Sequence, residues 1–183
     1  MKRLTVDTRL APETLYEALE ATGPLELVLA EPPEDVSREA LLLSAARRFW
    51  PLVVRFEGTL STPFAELAAL STLAEHPADA RLDLRGALLT PFIFRIGARE
   101  LARHAVAHGP LLPASALLLS ARGREGRSPL ALSLAMELLR AAPRSDANAF
   151  AREKAAFAFA LASPDRLEGI AAFRSRRPPR FDW

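Results

Sequence analysis

Three short apolar runs, Leu4-Thr5-Val6, Leu25 to Leu29 and Leu52 to Phe56, each precede a stretch with helical spacing. That alternation confines the chain to an α/β layer architecture, because strands of this kind bury their faces against a layer of helices. The first helix opens at Ala11-Pro12-Glu13, where proline suits a first helical turn, and places Leu15, Ala18 and Leu19 on one face. Gly23-Pro24 stops it. After the acidic loop Glu31-Pro32-Pro33-Glu34-Asp35, the spacing of Leu41, Leu42, Ala45 and Phe49 predicts a helix over 37–49. The third run ends at Gly58, and Thr62-Pro63 opens a helix expected to reach about His76. A short extended piece follows at Arg81-Leu82-Asp83-Leu84. From about residue 96 the strand signals fade. Helices are expected over 98–108, 113–121, 128–142, 146–161 and 164–173, separated by Gly-Pro, Gly-Arg-Glu-Gly and Pro-Arg-Ser punctuation. No linker rich in Pro, Gly or Ser divides the chain. Residues 1–183 therefore read as one domain, an α/β core over 1–95 with a helical part over 96–183.

Composition removes several function classes. Half of the residues are hydrophobic and a quarter charged, a globular profile. No run of 18 uncharged apolar residues exists, so no membrane partner is expected. Met1 to Asp7 lack the apolar stretch of a signal peptide, which makes a cytoplasmic location the expectation. The chain has no cysteine, so disulfides, thiolate metal sites and cysteine nucleophiles are excluded together. Residues 1–80 carry 7 Lys and Arg against 13 Asp and Glu, whereas residues 81–183 carry 17 against 9. Only Lys2 and Lys154 are lysine. Arginine suits planar recognition of phosphate or carboxylate, though a GC-rich genome produces the same bias. These arginines lie within helical patterns without interleaved aromatics, so nucleic acid is not an expected partner.

Few residues assemble into recognisable chemistry by spacing alone. His104 and His108 stand four apart, with Glu100 on the same helical face, but no HExxH pattern accompanies them and no metal is expected. Gly123-Arg124-Glu125-Gly126 matches neither a dinucleotide nor a P-loop fingerprint and reads as a helix break. No Gly-x-Ser-x-Gly elbow occurs. Phe150, Phe157, Phe159 and Phe173 form an aromatic stripe on the last helices, suited to core packing or a subunit interface.

The C-terminus is more specific. Ser163, Asp165, Glu168, Gly169, Ala172, Phe173, Arg177 and Phe181 fall in the order Ser-x-Asp-x-x-Glu-Gly-x-x-Ala-Phe, followed by a basic, proline-containing tail and phenylalanine. This resembles the closing signature of the crotonase family, the enoyl-CoA hydratases and isomerases. Weaker likeness runs through the rest. Ala11-Pro12-Glu13-Thr14-Leu15 resembles the start of the family's first helix. Pro51 to Gly58 resembles the strand that ends in glycine before an oxyanion loop, Ala65-Glu66-Leu67-Ala68 the helix after it, and Asp79 to Leu82 the next strand. Residues 95–119 resemble a helix followed by a Ser-Ala-x-x-Ala helix. The resemblance implies a crotonase-like (ClpP/crotonase) spiral of strand-strand-helix turns with a helical C-terminal region. It also implies an acyl-CoA ligand with no other cofactor, and a trimeric or hexameric assembly.

What the resemblance implies for chemistry is partly missing. Family enzymes hold a thioester carbonyl with two backbone N–H groups, which stabilise the enolate oxygen as its charge develops. Hydratases add two glutamates as general acid and base. Here the loop after Ala30 passes from the acidic stretch almost directly into a helix, leaving no first donor and an unfavourable charge for an oxyanion. In Gly58-Thr-Leu-Ser-Thr-Pro-Phe-Ala-Glu66 the glycine that supplies the second donor is replaced by Pro63, which has no N–H. Phe64 and Ala65 are the nearest substitutes. Glu66 matches the first catalytic glutamate, and equally reads as an acid in a first helical turn favoured by the dipole. The second glutamate falls on Gly86, no acid is nearer than Asp83, and the family's glycine-rich stretch is absent between Leu88 and Phe92. Arg174, Arg176 and Arg177 are the candidate contacts for CoA phosphate, against the alternative of solvated helix-end charges.

The expected function is a divergent member, weak or inactive as a catalyst, acting as an acyl-CoA-binding or partner subunit beside a related enzyme. Two alternatives stand. One is an active hydratase or isomerase rebuilt around Glu66; the other is a pure interaction module. The chain reads as short because active-site loops are missing.

Overall fold

The computed structural model describes residues 1–31, 33–117, 126, 128–141 and 149–181. Strands β1 (Lys2–Val6), β2 (Leu25–Leu29), β3 (Leu52–Phe56) and β5 (Leu73–Glu75) form one four-stranded sheet in the order β1-β2-β3-β5. Every pairing in it is parallel. Parallel neighbours need crossovers, and helices α1 (Pro12–Glu20), α2 (Arg38–Arg47) and α3 (Phe64–Leu70) supply them. The register sets Val6, Leu29 and Phe56 side by side, with Leu4, Leu27, Val54 and Ala74 in the next row. This face packs on Leu15 and Leu19 of α1, Leu41 and Ala45 of α2, and Leu67 and Ala68 of α3 to make the core. The opposite face mixes the buried Val53 and Leu73 with a charged group: Arg55 stands beside Glu75 in register, their charged groups 2.5 Å apart, and reaches Glu26 at 3.6 Å.

A second sheet of three strands, in the order β4-β6-β7, stacks β4 (Thr59–Leu60) parallel to β6 (Arg81–Asp83) and β7 (Leu111–Pro113) antiparallel to β6. Helices α4 (Thr90–Ile96) and α5 (Ala98–His108) lie between β6 and β7, and a 3-10 turn, Ala114–Ala116, follows. The C-terminal part is α6 (Pro129–Ala141), α7 (Ala149–Ala162) and α8 (Pro164–Arg174).

Several sequence expectations change. The helix expected from Thr62-Pro63 to His76 starts at Phe64 and stops at Leu70, with Leu73–Glu75 a strand instead. Ser71 turns its hydroxyl onto the carbonyls of Ala68 (2.7 Å) and Leu73 (3.0 Å), which ends the helix. Thr72 then exchanges bonds with Leu52, through its own N–H to the Leu52 carbonyl (2.8 Å) and its Oγ1 to the Leu52 N–H (3.1 Å). The α2 helix ends at Arg47 rather than at Phe49, because Arg48 leaves the helical path. β4, α4 and β7 were not expected. β7 places a sheet strand inside the segment read as wholly helical, and residues 113–117 form a strand end and a 3-10 turn rather than a helix start. The remainder of the helix expected over 113–121, and most of the Gly123–Gly126 break, lie outside the described residues.

Candidate functional site

Glu66 sits in the first turn of α3, where six of seven residues are buried. Its side chain has 0% exposure. A carboxylate so placed is costly unless every oxygen is paired. Arg38, the first residue of α2, supplies the pairing: its Nε donates to Oε2 at 3.0 Å and its Nη2 to Oε1 in a close ion pair. The backbone N–H of Leu88 donates to the same Oε1. The local sequence positions both partners. Ser37 caps α2, its Oγ accepting from the Ala40 N–H, and its own N–H is held by the Tyr16 hydroxyl at 2.8 Å. On the other side Gly86, at φ +71°, turns the chain between β6 and α4 so that Leu88 N–H faces inward. Glu66 thus joins α2, α3 and the 84–89 connection at one buried point.

The donors around it follow the same pattern. Pro63 occupies the position before α3 and has no N–H to give. The Ala65 N–H donates to the Ser61 carbonyl at 2.8 Å and is committed to the backbone. The Phe64 N–H has no partner among the described residues, but the Phe64 side chain is buried with the core. Of the two substitutes, Phe64 alone retains a free donor. The resemblance places thioester-binding loops after Ala30 and around Leu88–Phe92; the first is the short 30–37 connection, and the second runs directly into α4 at Thr90. Asp83, the acid nearest the second glutamate's position, is gripped by Arg85. The Arg85 Nε lies 3.0 and 2.9 Å from its two oxygens and Nη2 2.5 Å from Oδ2, while the Arg85 N–H adds a bond of 3.0 Å. These hydrogen bonds hold the Asp83 carboxyl below its ordinary value.

The C-terminal signature resolves into brackets. Asp165, in the first turn of α8, accepts a hydrogen bond from the Ser128 hydroxyl at the start of α6. Glu168 receives Arg177 through two bonds of 2.6 and 2.9 Å and the Arg180 N–H at 2.6 Å. Arg177 is therefore paired within its own tail, whereas the exposed Arg174 and Arg176 remain the phosphate candidates without an ion pair among the described residues. Sequence reasoning missed Arg38. Its only signal is a basic residue in a helix first turn, where the dipole disfavours it and a buried acid must compensate. His104 and His108 stack at 5.7 Å with Glu100 3.6 Å from His104, and no cluster of three or more His, Asp or Glu suited to a metal occurs among the described residues. Phe157, Phe159 and Phe173 are exposed, so they do not serve the core of this chain; the side chain of Phe150 lies outside the described residues. Among the described residues no helix is long and apolar enough to cross a membrane.

No family model matches the chain, and no curated protein sequence does either. Solved structures match it along nearly its whole length. An enoyl-CoA hydratase from Polaromonas sp. JS666 aligns over 98% of this chain and 95% of its own, at 20% identity and a TM-score of 0.65. An enoyl-CoA hydratase/carnitine racemase from Magnetospirillum magneticum aligns over 98% and 91%, at 16% identity and a TM-score of 0.66. An enoyl-CoA hydratase from Mycobacterium tuberculosis H37Rv aligns over 97% and 90%, at 18% identity and a TM-score of 0.61. At these identities the likeness is one of fold, and the fold is the mixed α/β crotonase fold that the C-terminal signature implied.

Proposed function

We propose that this crotonase-fold chain is a non-catalytic member of an oligomer, binding acyl-CoA or a related active enzyme without performing hydration. The observation that carries the reading is the state of Glu66. A general acid or base must reach the proton it moves to within about 3 Å, directly or through one water. Glu66 presents no surface, and both of its oxygens are occupied by Arg38 and Leu88. On the donor side Pro63 has no N–H and that of Ala65 is spent on Ser61, which among the described residues leaves the Phe64 N–H as the one free donor of the three. Losing one oxyanion donor alone costs roughly 100-fold or more in rate. The exposed Phe157, Phe159 and Phe173 on α7 and α8 supply an apolar surface for a subunit contact, and Arg174 and Arg176 supply charge for a phosphate.

The test measures crotonyl-CoA hydration and thermal stabilisation by CoA thioesters on one preparation. The expected result is no turnover above background, with any thioester raising the Tm by ligand linkage. Turnover that Glu66→Gln abolishes would overturn the proposal in favour of an enzyme rebuilt around Glu66. Absence of stabilisation at millimolar thioester removes the ligand half and leaves the interaction role.

A further inference from the structure

A second site lies at the far end of α2. Arg38 and Arg47 bound this ten-residue helix, so its two ends are about 14 Å apart. At the Arg47 end, a cavity of about 430 Å3 opens between the last turns of α1 and α2. Its walls include Glu20, Thr22, Ser44, Arg47, Phe49 and Trp50. That volume falls in the range of small-molecule sites, about 300–1,000 Å3.

The cavity is built on a rigid base. Arg48 also lines it and inserts its guanidinium beneath α1, where Nη1 bonds the carbonyls of Leu19 (2.5 Å) and Ala21 (2.7 Å) and Nη2 bonds that of Gly23. This cation offsets the negative end of α1 and clamps the α1–β2 turn to the α2–β3 turn. Burial lowers the Arg48 pKa from its ordinary value, yet at that height the guanidinium stays charged. The two aromatics that follow it are not buried. Phe49 and Trp50 stand edge to face, 5.6 Å between ring centres and 80° between planes, each with about two-fifths of its surface open. Arg47 on the rim has no hydrogen-bond or ion-pair partner among the described residues. Also in the lining, the Glu20 carboxylate accepts the Ser44 hydroxyl at 3.3 Å.

We propose that this cavity binds a nucleoside monophosphate. Three recognition groups suit the three parts of such a molecule. An exposed indole beside a perpendicular phenyl ring stacks a base, a contact tolerant of base identity. A carboxylate already hydrogen-bonded on one oxygen accepts the ribose hydroxyls, as acidic residues do in dinucleotide sites. An unpaired guanidinium receives the phosphate through charge-assisted bonds. The arrangement also fixes orientation: Glu20 repels a phosphate, so the anion lies toward Arg47 and the sugar toward Glu20. The site is independent of Glu66 and stands or falls without the reading above.

The experiment titrates AMP, adenosine and inorganic phosphate into the full chain carrying Trp183→Phe, so that fluorescence reports Trp50 alone. Saturable quenching by AMP is expected, with adenosine and phosphate each binding at least about tenfold more weakly. Arg47→Ala, at an exposed position outside the core, is expected to weaken AMP about tenfold with an unchanged Tm. Calorimetry on Trp50→Leu is expected to show AMP binding lost. No saturable quenching, equal affinity for AMP and adenosine, equal affinity for AMP and phosphate, or an Arg47→Ala variant that binds like the parent would each overturn the proposal.

Discussion

At the residue scale the decisive pair is Arg38 and Glu66, and the two are not equivalent. Arg38 retains 37% side-chain exposure and Glu66 none. Removing Glu66 leaves a guanidinium that water can still reach. Removing Arg38 leaves a carboxylate buried with only the Leu88 N–H for company. Stranding a buried charge costs about 3 kcal/mol or more, whereas an isosteric amide facing a half-exposed cation costs about 1–2 kcal/mol. Arg38→Met is therefore expected to lower the Tm by roughly 6–12 °C and Glu66→Gln by clearly less. Differential scanning calorimetry decides it, and the reverse order would mean that Arg38 does not carry the pairing. Glu66 was visible in the sequence as a residue but not as a state. Position after Pro63 marks it, while its partner lies 28 residues earlier in a helix turn where basic residues are ordinarily disfavoured.

At the element scale, segments with their own apolar pattern were legible, the short β6 among them, while β4, β5 and β7 were not. Leu25–Leu29, Leu52–Phe56 and Ala98–His108 form where apolar spacing placed them, because each carries its own pattern. β5 and β7, three residues each, carry too little pattern and exist through partners distant in sequence, β3 and β6. For β5 the contest with helix is decided locally at Ser71 and Thr72. Thr72→Val keeps the shape but leaves the buried Leu52 N–H without its side-chain acceptor, which costs about 1–2 kcal/mol in chemical denaturation. An unchanged midpoint would show that backbone pairing alone holds β5. The tail after α8 has a different control. Arg177 and the Arg180 N–H hold the Glu168 carboxyl at about 2, down from 4.5. A depressed folded-state value means the contact stabilises above the unfolded value and is lost as pH falls through the folded one. Tail order is thus expected to persist at pH 5 and to fade as pH drops from about 4.5 toward 2, read as loss of exchange protection at the Arg180 amide. Glu168→Gln is expected to remove that step; a step that survives in the variant belongs to another group.

At the scale of the whole molecule, the charge asymmetry in the sequence separates two kinds of work. The acidic first half holds the parallel sheet and the closed Glu66 point. The basic second half spends part of its charge internally, Arg177 on Glu168 and Arg85 on Asp83. Besides Arg174 and Arg176, unpaired among the described residues, it leaves apolar surface unspent. Phe173 is 87% exposed, and Phe157, Phe159, Leu167 and Ile170 are open on the same two helices, α7 and α8. Exposed large apolar side chains carry a standing cost that contact with a partner would remove, which is what the proposed subunit role requires of them. They are absent from the monomer's own core, which runs from the parallel sheet and α1 to α3 on to Leu82, Phe92, Leu101 and Leu112 of the second sheet and its helices. The two roles are therefore separable by mutation. Phe159→Ser with Phe173→Ser is expected to shift native mass spectra from an oligomer toward the 20.0 kDa monomer while the dilute-solution Tm of that monomer stays within about 1 °C. A parent already monomeric, both alone and mixed with an active enoyl-CoA hydratase, would count against the subunit role. So would a double variant that unfolds, because those phenylalanines would then belong to the fold and not to its partner.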